Sequence, residues 1–94
     1  MLTDDPRLRA IVDAHRRRTG DADVVLLSAL LLAEEAGEAV QQVRRFMGHA
    51  RQQATALDVA AELADVMISA AILARLLDVD LDRAIDEKLA VGVR

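Results

Sequence analysis

The sequence predicts an all-α fold, a bundle of about four helices that dimerises into a larger helical bundle, and three observations lead there. Hydrophobic residues make up 53% of the 94-residue chain and aromatic ones only 1%, so the β-branched and aromatic mixture that strands favour is missing. Apolar positions recur at alternating steps of three and four, the period of a helix face. Cap and stop residues divide the chain into four such stretches. The whole chain, residues 1–94, reads as one helical domain. A domain of this length buries roughly 60 to 65% of the surface its unfolded chain exposes, so its own core is marginal and self-association is the expected remedy.

Asp5 and Pro6 supply an N-cap and a first-turn proline, and Gly20 follows Arg16-Arg17-Arg18, which predicts a first helix over residues 5–19. Its apolar stripe is Leu8, Ile11, Val12 and His15. Gly20-Asp21-Ala22-Asp23 reads as a turn whose last Asp caps a second helix from about Val24 to Met47, ended by Gly48. Leu26, Leu30, Ala33, Gly37, Val40 and Met47 form a seam along that helix. Gly37 inside it costs about 1 kcal/mol relative to Ala and predicts close approach of a neighbouring helix. Phe46 reads as core. After a polar segment, Thr55 or Asp58 starts a third helix that runs to about Val79. Val59, Leu63, Val66, Met67, Ile72, Leu73, Leu76 and Leu77 give it a wide apolar surface, as a central helix needs. Asp80 caps a fourth helix, predicted to reach the chain end, with the stripe Leu81, Ile85, Leu89 and a surface ion pair from Arg83 to Glu87.

Twelve basic and sixteen acidic side chains leave a formal charge of −4, and Tyr and Trp are absent. No basic patch or stacking platform is present, so nucleic acid is not expected as a partner. Arg16-Arg17-Arg18 reads instead as complementing a helix C-terminus. Without cysteine, disulfides, thiolate metal sites and cysteine nucleophiles are excluded. The longest apolar stretch, Val24 to Ala33, contains Ser28 and is too short for the roughly 18 to 20 residues of a membrane span. The acidic opening Met-Leu-Thr-Asp-Asp-Pro does not read as a secretory signal, and a cytoplasmic location is expected.

Four of the five glutamates fall in two short patterns, Glu34-Glu35-x-x-Glu38 and Glu62-x-x-Asp65. Residues three or four apart share a helix face, so Glu35 converges with Glu38 and Glu62 with Asp65. At about 100° per residue, the second pair falls among Val66, Leu73 and Leu76, turned toward the bundle. Solvated or salt-bridged side chains are the ordinary reading of helix carboxylates, and that reading predicts bases one turn away. None stands there: Glu38 is followed by Gln41 and Gln42, and Glu62 and Asp65 only by apolar residues and Ser69. Burying an unpaired carboxylate costs several kcal/mol, so such a cluster requires a shared cation. An all-oxygen site selects a hard metal, Mg²⁺ first and Mn²⁺ second. A di-iron bundle needs Glu-x-x-His on each of two helices, and neither His15 nor His49 stands three residues after a glutamate.

Glu34-Glu35-Ala36-Gly37-Glu38, then Glu62-Leu63-Ala64-Asp65-Val66, then Asp86-Glu87-Lys88-Leu89 resemble the MazG-like all-α nucleoside triphosphate pyrophosphohydrolases over nearly the whole chain. The resemblance implies Mg²⁺-dependent hydrolysis of an NTP or dNTP at the α–β phosphoanhydride, giving the monophosphate and pyrophosphate, in a house-cleaning role. It implies metal binding by Glu35, Glu38, Glu62 and Asp65. Glu34 then orients or activates the attacking water, and Lys88 and Arg94 contact phosphates. Gly92 stands near a turn where the family often has asparagine. The resemblance further implies a homodimer or a dimer of dimers. Phe46, His15 and His49 are the rings on offer for stacking a base, so weak base selectivity is expected. Two alternatives remain at this stage. One is a nucleotide- or metal-binding regulatory module with weak turnover. The other is phosphoribosyl-ATP pyrophosphohydrolase, whose Ser-Tyr-Thr segment is missing here.

Overall fold

The computed structural model of the chain describes residues 4–92. Among them are four helices and no strand: α1 (Pro6–Thr19), α2 (Asp21–Phe46), α3 (Ala56–Leu76) and α4 (Leu81–Val91). The chain is all-α, as its composition predicts. No helix among the described residues is long and apolar enough to cross a membrane.

Local chemistry sets each boundary. The Asp5 carboxylate accepts the Arg7 backbone N–H at 2.8 Å and pairs with the Arg7 guanidinium at 2.7 Å. Those bonds hold its carboxyl at about 2, below the ordinary 3.8. The Gly20 N–H closes α1 on the Arg16 carbonyl at 2.9 Å. α2 then begins at the next residue, Asp21. It starts ahead of the expected Val24, which places Asp21 and Asp23 in the first turn, where negative charge suits the helix dipole. At the other end of α2, His49 N–H bonds the Arg44 carbonyl and Gly48 N–H the Arg45 carbonyl, at 2.8 and 3.1 Å. This is a Schellman closure, and Gly48 supplies its left-handed residue at φ +78.

α3 opens on a reciprocal cap. The Thr55 N–H donates to the Asp58 carboxylate at 2.8 Å, and the Asp58 N–H donates to Thr55 Oγ1 at 3.2 Å. It closes with a second Schellman pair, Val79 N–H to Ala74 carbonyl and Asp78 N–H to Arg75 carbonyl, at 2.8 and 3.2 Å. Asp78 takes the left-handed position there at φ +56, so α3 stops at Leu76 rather than Val79. Asp80 caps α4 by accepting the Arg83 N–H at 3.0 Å, and the expected Arg83–Glu87 pair forms at 3.0 Å. α4 stops at Val91, with Gly92 as its C-cap.

The chain forms two compact units, one of residues up to Val25 together with those from Ala71 on, the other Leu26–Ala70. In the first, Leu8 and Val12 of α1 pack with Ala71 and Ile72 of α3, and Leu76 lies against them. The second is a hairpin of the longer parts of α2 and α3. Its buried residues on α2 are Ser28 and Ala39, in line with half-buried Glu35. At about 100° per residue the expected seam lies on the opposite side of the helix. It is not covered: Leu26 is 63% exposed, Leu30 57%, Val40 61% and Met47 62%. Phe46 is likewise exposed rather than core. Nor does a neighbouring helix crowd Gly37, where an added Cβ would meet nothing within 4 Å.

Candidate active site

The hairpin Leu26–Ala70 carries all five acidic residues singled out in the sequence. Glu35 on α2 and Glu62 on α3 are half-buried, and Asp65 on α3 is exposed. One carboxylate oxygen from each lies within 4.8 Å of the other two. Oxygens sharing one Mg²⁺ at its usual bond length stand roughly 3 to 4 Å apart, so small side-chain rotations suffice to close the set. Buried oxygens Oε2 of Glu35 and Oε2 of Glu62 have no hydrogen-bond partner. Among the described residues no ion pair reaches either carboxylate. Two uncompensated buried oxygens beside a third carboxylate fit a hard divalent cation and fit poorly with a salt-bridged surface.

The electrostatics agree. Removal from water, and then the negative charges of Glu38, Asp65 and Glu62, push the Glu35 carboxyl above its ordinary 4.5. Glu62 is pushed up in the same way, first by loss of water and then by Glu38 and Asp65. Glu38 is itself exposed, but its charge bears on both. Of the four acids proposed as metal ligands, three converge directly and Glu38 adjoins them.

Glu34 and Glu38 line an open groove of about 450 Å³ together with Gly37, Gln41, Gln42, Arg45 and Glu62. Glu34, Glu38, Gln41 and Arg45 follow one another at steps of four, three and four, a single stripe along α2. That spacing is in the sequence. Nothing in the sequence sets Arg45 apart, because a basic residue in the last turn of a helix already has a role toward the dipole. The orphaned hydroxyl of buried Ser28 has no signal in the sequence beyond a polar residue within an apolar run.

The remaining expected site residues lie apart from this hairpin in the chain. Lys88 is in the other compact unit, exposed on α4, beside Leu81, Ala84, Ile85 and Leu89. Arg94 lies outside the described residues. Residues 25–90 match the family model of the MazG nucleotide pyrophosphohydrolase domain, well over half of the chain. The chain belongs to the MazG nucleotide pyrophosphohydrolase family. The matched span includes both acidic motifs and the groove, so the convergent carboxylates lie inside the MazG domain. No curated protein and no solved structure matches the chain.

Proposed function

We propose that this MazG domain hydrolyses a nucleoside or deoxynucleoside triphosphate to the monophosphate and pyrophosphate, in a house-cleaning role in the cytoplasm. The observation that carries the reading is the pair of unpartnered buried oxygens on Glu35 and Glu62, converging with Asp65. Glu35, Glu38, Glu62 and Asp65 would hold the divalent cation, Mg²⁺ before Mn²⁺, by the chemistry of an all-carboxylate donor set. Bound there, it would supply charge neutralisation at the phosphates and Lewis acidity toward the phosphoryl group.

The chain's own residues position the reactants. Glu34 faces the groove beside Glu38 and accepts the proton of the water that adds across the α–β anhydride, while the bridging oxygen leaves with pyrophosphate. Lys88 and Arg94 are assigned to the phosphates on the strength of the family pattern alone. The assembly is a homodimer or a dimer of dimers, a reading supported by the uncovered leucines of α2.

A pyrophosphate-release assay over a panel of NTPs and dNTPs with Mg²⁺ tests the reaction. Wild type is expected to release pyrophosphate and monophosphate with little discrimination among bases, and Glu38→Gln to lose about a hundredfold or more of the rate. Release of orthophosphate, or no turnover of any member of the panel, contradicts the reading.

A further inference from the structure

The proposed reaction leaves a charge problem at the far end of the groove. Four carboxylates loaded with one divalent cation still carry a net negative charge, so a polyphosphate laid along them needs a further cation for its outer phosphates. Arg45 lines that groove with Glu34, Glu38 and Glu62. It is half-buried, and among the described residues its side chain makes no hydrogen bond or ion pair. Its neighbour Arg44, by contrast, bonds the Gln41 amide oxygen and the His49 carbonyl. The Arg45 guanidinium donors are therefore free to meet an acceptor that enters the groove.

Direction and reach both fit. Arg45 lies seven residues after Glu38 on the same helix stripe, about 10 Å along the axis. Helix side chains lean toward the N-terminus, so the Arg45 stem leans from its end of the groove back toward the carboxylates. Gly37 contributes no side chain, and the space over it is open to 4 Å. Gln41 and Gln42 complete that end with neutral amides, which donate to phosphate oxygens without repelling them.

We propose that Arg45 is a substrate-binding residue that holds the outer phosphates of the nucleotide, and then the pyrophosphate product, by forked N–H donation to phosphate oxygens. This rests on the hydrolase reading above, and the test separates the two. Calorimetric titration with magnesium pyrophosphate, Mn²⁺ binding followed by electron paramagnetic resonance, and steady-state turnover are measured on wild type, Arg45→Gln, Arg45→Lys and the loop control Arg51→Gln. Arg45→Gln is expected to weaken pyrophosphate binding and raise KM by roughly ten- to a hundredfold, while Mn²⁺ affinity stays at the wild-type value. Arg45→Lys should recover part of the loss, and Arg51→Gln should match wild type. If wild type turns over no nucleotide but binds pyrophosphate in an Arg45-dependent way, the phosphate seat stands and the hydrolase reading falls. Unchanged pyrophosphate affinity in Arg45→Gln overturns the proposal, whether the variant is merely less stable or loses only affinity for the nucleoside end. Failure of wild type to bind magnesium pyrophosphate overturns it as well.

Discussion

Glu35 and Glu62 each hold a carboxylate oxygen that is out of water and has no donor. Their carboxyls are therefore pushed above 4.5 by loss of solvent and by the surrounding acids. Over the window from about 4.5 up to those raised values, the folded chain retains protons that the unfolded chain has released. Linkage then makes the metal-free protein gain stability as pH falls toward 4.5 and lose it as pH rises through the raised values. Mg²⁺ competes with those protons. Thermal melts between pH 5 and 8 are expected to show Mg²⁺ raising Tm more at pH 8 than at pH 5. Glu35→Gln is expected to remove most of that difference and to stabilise the metal-free protein at pH 8. A Mg²⁺ effect independent of pH, or retained in Glu35→Gln, contradicts the assignment. These acids were legible in the sequence because no basic residue stands one turn from them. Arg45 was not, because its position is already explained by the helix dipole and only the groove shows it facing the acids.

The helices themselves were largely legible from their caps. Asp5, Thr55, Asp58 and Asp80 do what short polar side chains do at helix starts, and Gly20 and Gly48 end the first two helices as expected. The misplaced ends have local causes: α2 starts directly after the Gly20 closure, and left-handed Asp78 ends α3 early. What periodicity could not show is which of two apolar faces of α2 the chain itself covers. The stripe through Leu26, Leu30, Val40 and Met47 satisfies the helical period, yet the protected face is the one through Ser28, Glu35 and Ala39. Gly37 lies at the edge of the uncovered stripe, and nothing within 4 Å awaits a Cβ there. Gly37→Ala is therefore expected to stabilise the protein by up to about 1 kcal/mol through helix propensity, seen as a higher urea midpoint with unchanged slope. A loss of stability would place a close neighbour over Gly37 that the single chain does not contain.

At the scale of the molecule, a 94-residue chain leaves exposed leucines along α2 and Leu63 and Met67 along α3. Exposed apolar surface of this kind supports the proposed self-association, and the small-domain argument made from length alone leads to the same proposal. Light scattering at micromolar concentration is expected to give a dimer or tetramer, and Leu26→Glu with Leu30→Glu to shift it to monomer. A monomeric wild type contradicts the assembly. Family membership was legible in the order and separation of the two acidic motifs, and the match over residues 25–90 bears it out. Identity of the substrate was not, since a groove lined by carboxylates, amides and one arginine carries no ring to select a base. In the proposed reaction the α2–α3 carboxylates hold the cation that brings the triphosphate to the groove. Anomalous diffraction from crystals grown with Mn²⁺ and an α,β-imido nucleotide analogue tests it most directly. A manganese peak is expected within coordination distance of Glu35, Glu62 and Asp65, with the analogue's phosphates in the groove toward Arg45; manganese bound elsewhere, or phosphates seated away from these helices, would overturn the assignment.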